Sequence, residues 1–162
     1  MKLVIFSDAH GNKDVVESIM EFNPDADYLI SLGDSELDQD FLLSNDIIPI
    51  KGNSPRDAGF VYERILEVEG KRIFLTHGHK FAVHRNLRKL GKYAIENQCN
   101  IVLYGHTHIL EKTMMSGIVL INPGSCSRPR NTLPPTYLII EITEEETKYT
   151  FKDSFANNTI EV

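Results

Sequence analysis

Short apolar runs that end in glycine and polar residues recur along the first part of the chain. They cover residues 3–6, 28–30, 47–50, 73–75 and 101–103. Runs of this kind, bounded by glycine, are typical of strands that are buried on both faces. We therefore predict five buried strands. In open α/β sheets the ligand crevice lies beyond the carboxyl ends of such strands.

Helical patterns fill several of the intervals between these runs. Asn12 is a plausible N-cap for a helix over residues 13–21, whose inward face carries Val16, Ile19 and Met20. A short helix is predicted near residues 37–44, with Phe41 and Leu42 facing inward. The first helix lies between two runs, so residues 2–32 predict a right-handed β-α-β unit with parallel strands.

The segment 81–97 has the pattern of the longest helix in the chain. Its apolar face carries Leu87, Leu90, Ala94 and Ile95. The other side carries four basic residues, Arg85, Arg88, Lys89 and Lys92. A solvated helix face explains this basic side, and a patch that attracts a partner or a phosphate is the alternative.

The rest of the chain is rich in strands. Residues 61–68 and 72–76 flank a tight turn at 69–71, and further strands are predicted over 111–115, 118–122, 137–142 and 148–155. The tail 156–162 is expected to fray. A β-α-β beginning with a strand-rich end predicts an α/β (α+β) fold of two packed, mixed sheets with helices outside.

Composition narrows the class of protein. The chain has 162 residues, of which 41% are hydrophobic and 25% charged, which suits a single soluble domain over residues 1–162. Its net charge of −6 argues against stable nucleic-acid binding. Two scattered cysteines, Cys99 and Cys126, are expected to be reduced. No apolar stretch suits a signal peptide or a bilayer span, so we expect a cytoplasmic protein without membrane contact.

Residues that bind metals follow the predicted strands. The seven candidates are Asp8, His10, Asp34, Asn53, His77, His106 and His108. One metal rarely takes this many protein ligands, so two adjacent metals sharing a carboxylate are the economical explanation. Taken singly, each residue has an ordinary alternative: the aspartates could cap helices, Asn53 could belong to a turn, and the histidines could be structural. Their joint arrangement at five strand ends favours the metal site.

These motifs resemble those of the calcineurin-like metallophosphoesterase superfamily. The elements are Asp8-x-His10, Gly33-Asp34, Gly52-Asn53, His77 and Gly105-His106-x-His108, and the resemblance extends to about residue 135. Within the superfamily, the chain is similar to the small, single-domain prokaryotic phosphodiesterases. The resemblance implies a four-layer α-β-β-α sandwich.

The resemblance also implies how the ligands divide. Asp8, His10 and His108 would hold one metal, and Asn53, His77 and His106 the other. Asp34 would bridge both metals and take part in catalysis. Two divalent ions are implied, with Mn²⁺ expected and Ni²⁺, Fe²⁺, Co²⁺ or Zn²⁺ as alternatives, because sites of nitrogen and oxygen ligands accept several of them.

One position departs from the family pattern. Many members have a histidine after the Gly-Asn pair that is thought to protonate the leaving group, and this chain has Ser54 there. A hydroxyl is a poor general acid near pH 7. We hypothesise that His79 assists catalysis instead, and a supporting structural role is the alternative. Arg128 and Arg130 either contact substrate phosphate or decorate a loop. His84 is left unassigned.

The leading hypothesis is therefore a metal-dependent phosphodiesterase. It would hydrolyse a small phosphate ester through a hydroxide activated by two metals. A phosphomonoesterase using the same site is one alternative. A non-catalytic metal-binding scaffold is another, since the family fold also occurs in a retromer subunit that binds partners. The small phosphate ester is the expected partner, and formation of a homo-oligomer is left open.

Overall fold

Eleven strands form two sheets in the computed structural model, which describes residues 1–162, and three α-helices accompany them. The strands are β1 (Lys2–Phe6), β2 (Tyr28–Ser31), β3 (Ile47–Pro49), β4 (Glu63–Val68), β5 (Lys71–Thr76), β6 (Ile101–Leu103), β7 (Leu110–Met115), β8 (Ile118–Pro123), β9 (Thr136–Ile142), β10 (Thr147–Asp153) and β11 (Thr159–Ile160). The helices are α1 (Lys13–Phe22), α2 (Gln39–Ser44) and α3 (Arg88–Glu96).

Both sheets are mixed. The first has the order β11-β10-β9-β1-β2-β3, in which β1, β2 and β3 are parallel and the remaining pairs are antiparallel. The second has the order β4-β5-β6-β8-β7, in which β5, β6 and β8 are parallel and the edge strands β4 and β7 are antiparallel. The carboxyl ends of parallel neighbours therefore lie at one edge of each sheet.

Side-chain alternation along the strands produces three apolar layers. Leu3 and Ile5 of β1 point into a central cluster of 16 buried residues that also includes Leu75 and Leu103 from the second sheet. Successive side chains of a strand point to opposite faces, so the neighbours of these residues belong to other clusters. An outer cluster joins the first sheet to α1 and α2, and another joins the second sheet to α3. This arrangement is the expected four-layer α-β-β-α sandwich.

Local sequence signals explain the first helix. The Asn12 side chain accepts a hydrogen bond from the Val15 N–H at 3.2 Å, as expected of an N-cap. Val15, Val16 and Ile19 are buried against the first sheet, and Met20 packs against the same cluster. The predicted helix and its inward face are confirmed.

The predicted long helix over residues 81–97 is wrong at its start. A 3₁₀ turn at His79–Phe81 ends at Ala82, which has a left-handed φ of 54°, and α3 begins only at Arg88. A residue in the left-handed region breaks the α-helical hydrogen-bond pattern, so the segment cannot be one helix. His84 therefore lies in a turn rather than on the helix. Ile95, predicted to face inward, is 49% exposed.

Two further expectations concern the tail and the cysteines. The fraying predicted for residues 156–162 is wrong for Thr159–Ile160, because this pair forms β11 against β10. Cys99 and Cys126 are both free, as expected, and both are buried. None of the helices is long and apolar enough to cross a membrane.

The central layer generates a prediction about stability. Leu75 is fully buried between the sheets, so Leu75→Ala is expected to lower the free energy of unfolding by about 2–5 kcal/mol. The matched control is Met114→Ala, at a residue that is 69% exposed, where we expect a change within about 0.5 kcal/mol. Urea unfolding of metal-stripped proteins measures both values. Equal losses for the two variants would contradict the assignment of Leu75 to the central core.

Candidate metal centre

The candidate residues lie where strand ends from the two sheets meet. Asp8 and Asp34 follow β1 and β2 of the first sheet, and their loops are joined because the His10 N–H donates to the Asp34 carbonyl at 3.0 Å. His77 follows β5 of the second sheet, and its carbonyl accepts from the Gly105 N–H at 3.0 Å. The loops are thus held together by their own backbone.

One group of side chains contains Asp8, His10 and His108. The Nε2 atoms of the two histidines face each other at 3.1 Å. The Oδ1 atom of Asp8 lies 3.3 Å from His108 Nε2 and 4.0 Å from His10 Nε2. The three ligand atoms lie within 4.8 Å of one another, so they could hold a single cation.

The second group is built around Asn53. Its Oδ1 atom lies 3.0 Å from His77 Nε2 and 3.0 Å from His106 Nδ1. Asp34 Oδ2 lies 3.4 Å from His77 Nε2, and Asp8 Oδ1 lies 3.8 Å from the same nitrogen. Since Asp8, Asp34 and His77 also form a group that could hold a cation, the two sets are contiguous. The structure thus brings all seven candidates together.

Three of the histidines are oriented by hydrogen bonds on their outer nitrogens. Nδ1 of His77 lies 2.8 Å from the Leu32 carbonyl, and Nδ1 of His108 lies 2.7 Å from the Arg128 carbonyl. Nδ1 of His10 lies 2.8 Å from Glu36 Oε1. A proton on Nδ1 leaves the Nε2 lone pair directed into the centre. Metal-binding imidazoles usually donate their other ring N–H to a carbonyl or carboxylate oxygen in this way. The role of Glu36 had no signal in the sequence.

The carboxylate of Asp8 contains the clearest sign of a cation. Its Oδ2 atom accepts from the Ser7 hydroxyl at 2.7 Å and from the His106 N–H at 3.1 Å. Its Oδ1 atom is buried and has no hydrogen-bond partner. A buried polar atom without a partner is costly, and a cation among these donors would satisfy it. The nitrogen and oxygen donor set therefore fits divalent metal ions.

The backbone at the centre is strained. Five of the candidates have left-handed φ angles: Asp8 (55°), His10 (47°), Asp34 (48°), His106 (72°) and His108 (60°). Few residues other than glycine adopt this conformation, and it costs about 1–3 kcal/mol each. The turn at each strand end directs the side chain toward the centre, so the strain is tied to the placement of the donors.

Close packing explains why glycines precede several candidates. A Cβ atom on Gly52 would lie 2.0 Å from Asp34 Oδ1, and one on Gly105 would lie 2.0 Å from Ser7 Oγ. Both distances are far below any van der Waals contact. The Gly-Asn and Gly-His pairs therefore reflect the close approach of one loop to the donor groups of another.

The electrostatics favour ionised aspartates and a neutral His106, but they raise the pKa of His77. Burial of that ring is outweighed by its hydrogen bond to Asp34 and by the charge of Asp8, so a metal ion would have to displace a proton from His77. Burial alone would raise the pKa of Asp34, but hydrogen bonding to His77 and the charge of His77 outweigh it and keep this pKa below its usual value. The pKa of Asp8 is lowered against its burial in the same way, by His108 and His77. Burial and the charge of His77 lower the pKa of His106 to about 4. Ionised carboxylates and a neutral imidazole can bind a cation directly.

Asp57 is a supporting residue that sequence reasoning missed. It is fully buried, and its Oδ2 atom accepts from the backbone N–H groups of Asp34 and Gly52, at 2.5 Å and 3.1 Å. Its Oδ1 atom accepts from the Glu36 N–H at 3.3 Å. One carboxylate therefore joins the loop that carries Asp34 to the loop that carries Asn53. Asp57 is the last residue of a 3₁₀ turn over Pro55–Asp57 and belongs to no motif that would have marked it.

His79 lies beside the centre rather than within it. Its ring centroid is 5.4 Å from that of His77 and 6.1 Å from that of His106, and its Nδ1 atom is buried without a partner. Burial and the charge of His77 lower its pKa. Ser54 contributes its backbone, since its N–H donates to Asp34 Oδ1 at 2.8 Å and its hydroxyl accepts from the Arg56 N–H.

Comparisons with known proteins agree with this geometry. Residues 1–145 match the model of the calcineurin-like phosphoesterase superfamily domain. The chain is 30% identical to the probable metallophosphoesterase YsnB of Bacillus subtilis, over 99% of this chain and 95% of that protein. It is 28% identical to the phosphodiesterase YfcE of Escherichia coli K12, over 87% and 88% of the two chains.

A solved structure is also similar. It is that of a conserved Streptococcus pneumoniae TIGR4 protein, described as a predicted phosphoesterase, with a TM-score of 0.85 and 34% identity. The alignment covers 94% of this chain and 89% of the other. The similarity therefore extends over nearly the whole sandwich.

The bonds of Asp57 generate a prediction about metal affinity. Asp57→Asn replaces one acceptor oxygen with a donor group, and in either orientation of the amide this donor faces a backbone N–H group, of Asp34 and Gly52 or of Glu36. We expect Mn²⁺ affinity to fall about 10–100-fold, with a loss of about 1–3 kcal/mol in unfolding free energy. Asp38→Asn is the control, since Asp38 is exposed and its side chain makes no capping bond. Titration calorimetry measures affinity, and unchanged binding by Asp57→Asn would contradict the role.

Proposed function

The chain belongs to the calcineurin-like phosphoesterase superfamily, and we propose that it is a metal-dependent phosphodiesterase acting on a small phosphate ester. Metallophosphoesterases use divalent metal ions. The main support is that two groups of possible metal ligands, one around Asp8 and one around Asn53, lie directly next to each other. We take residues 1–162 as one such domain.

The proposed centre holds two divalent ions, with Mn²⁺ expected. Asp8, His10 and His108 would hold one ion, Asn53, His77 and His106 the other, and Asp34 would bridge them. Two ions held by these residues would supply Lewis acidity for a phosphate oxygen and would lower the pKa of bound water toward neutrality. The Asn53 amide contributes an oxygen without adding negative charge, which lessens the repulsion of an anionic ester.

The remaining steps depend on the chain itself. The Ser54 N–H and the contact with His77 fix the two oxygens of Asp34, so that this carboxylate enters the reaction already oriented. Preorganised donors of this kind need no rearrangement as charge develops. We propose that His79 assists the departure of the leaving group. Its ring centroid is 5.4 Å from that of His77, and we propose that a ring N–H of His79 donates a hydrogen bond to the leaving oxygen.

The other parts of the proposal concern partners and location. The expected partner is a small phosphate ester, with no stable nucleic-acid binding and no membrane contact, and the expected location is cytoplasmic. The similarity to the phosphodiesterase YfcE supports a phosphodiesterase rather than a phosphomonoesterase for this chain. A non-catalytic scaffold would not need seven competent donors in one place. The monoesterase and the scaffold are therefore treated as outcomes of the test.

Hydrolysis of a diester and its monoester tests the proposal. Protein stripped with chelator should be inactive, and Mn²⁺ should restore hydrolysis of bis(p-nitrophenyl) phosphate in preference to p-nitrophenyl phosphate. Asp34→Asn should lower turnover on the order of 10²–10³-fold, because it removes a charge from the middle of the centre. The exposed Asp38→Asn should retain wild-type turnover.

Other outcomes of the same assay identify the alternatives. Faster hydrolysis of the monoester would favour the phosphomonoesterase. Stoichiometric Mn²⁺ binding without turnover of either ester would contradict an enzyme and favour the scaffold.

The role of His79 is tested with leaving groups of different quality. His79→Ala should slow hydrolysis of a diester with a poor alkoxide leaving group about tenfold or more. Hydrolysis of bis(p-nitrophenyl) phosphate should change little, because p-nitrophenolate departs without assistance. An equal effect on both esters, together with lower Mn²⁺ affinity, would instead indicate a structural role for His79.

A further inference from the structure

A pocket of about 380 Å³ opens directly beside the candidate metal centre. Seven residues line it: Val83, His84, His106, Thr107, Ile109, Glu111 and Arg130. His106 belongs to both places, because its Nδ1 atom faces Asn53 in the centre while its ring forms a wall of the pocket. A phosphate bound at the centre would therefore carry one of its ester substituents to the mouth of this pocket.

The lining of the pocket contrasts with that of the centre. Val83 and Ile109 supply apolar surface, and Ile109 is 44% exposed although it lies next to a cluster of charged and polar donors. The His84 ring stands edge-on to the His106 ring, with centroids 6.0 Å apart and an interplanar angle of 69°. Binding pockets for small molecules typically combine apolar walls with a few placed polar groups.

The pocket contains two charged side chains, Glu111 and Arg130, and only Arg130 is without a side-chain partner that would compete with a ligand. The Glu111 carboxylate accepts a hydrogen bond from the Tyr104 hydroxyl at 2.7 Å and is thereby held at one side. Arg130 is positioned by its backbone, whose N–H donates to the His108 carbonyl at 3.1 Å, and its guanidinium makes no ion pair with a carboxylate. A planar guanidinium without a partner can stack on a flat ring, which an ammonium group does poorly.

We propose that this pocket binds one ester substituent of the substrate and that the substituent is a planar aromatic or heteroaromatic group. The ring would contact the apolar side chains of Val83 and Ile109 and stack on the guanidinium of Arg130. The inference rests on the proposed function, because it takes the phosphate to be held at the candidate centre. It adds that the substrate is an aryl or nucleobase-bearing ester rather than a simple alkyl ester.

Binding of matched phosphonates tests the inference without requiring turnover. Phenylphosphonate and methylphosphonate carry the same charged group and differ only in the substituent. Calorimetry with the Mn²⁺-loaded protein should show phenylphosphonate binding about tenfold more tightly or better, since burial of a ring adds favourable apolar contact. Adenosine 5′-monophosphate and ribose 5-phosphate form a second pair, which distinguishes a nucleobase from an aryl group attached directly to phosphorus.

Two variants locate the preference in the pocket. Ile109→Asp should abolish the preference for the aromatic member of the favoured pair, and Arg130→Lys, which keeps the charge and loses the planar group, should reduce it. The measured quantity is the ratio of the two affinities within each pair, because the carboxylate introduced at residue 109 weakens the binding of both anionic members. The control is Met114→Asp, at an exposed position on β7 outside the pocket. It should leave every affinity unchanged.

The outcomes separate this inference from the proposed function. Equal affinities within both pairs, or a preference that survives Ile109→Asp, would overturn the pocket assignment while leaving the diesterase proposal intact. A preference lost in Ile109→Asp would support the pocket even if the diester assay showed no turnover. Phosphonate binding that is as strong in chelator as in Mn²⁺ would overturn the inference, because the phosphate would then not be held at the centre.

Discussion

The apolar contact between the two sheets is the constraint on which the candidate centre depends. Asp8, Asp34 and Asn53 come from loops of the first sheet, whereas His77, His106 and His108 come from loops of the second. Neither sheet carries a complete set of donors. The central cluster, with Leu3 and Ile5 on one side and Leu75 and Leu103 on the other, holds the two edges together. Packing of ordinary aliphatic side chains therefore determines the distances between the charged groups.

The turns at the strand ends also determine where the ligand side chains lie, and they are strained. Left-handed angles at five candidate residues are unfavourable taken singly and require compensation from their surroundings. Buried polar groups supply it: Asp57 bonds to the loops of Asp34 and Gly52, and the hydroxyls of Ser125 and Ser127 donate to the Asp8 carbonyl at 2.8 Å and 3.1 Å. The geometry of each donor thus depends on residues that are not themselves candidate ligands.

Much of the architecture was predictable because it follows from local patterns. Apolar runs bounded by glycine marked the buried strands, and Asn12 marked the start of α1. The polar residues beyond those runs pointed to one edge of the sheets, and the structure brings them together there. The break at Ala82 was not predictable, because alanine favours helix and only its tertiary surroundings hold it in the left-handed region. The supporting roles of Asp57 and Glu36 were not predictable, because their hydrogen-bond partners lie on loops that are distant in sequence.

The long sequence separations within the centre have a consequence for how the chain behaves as a polymer. Asp8 and His108 lie at opposite ends of a span of about one hundred residues, and a cation between them would close that span into a ring. Such a closure acts as a reversible cross-link. An ion that binds only the folded chain lowers the free energy of that state, and the effect grows with the logarithm of the ion concentration. Mechanical and proteolytic resistance of this sandwich would then follow the supply of metal in its surroundings.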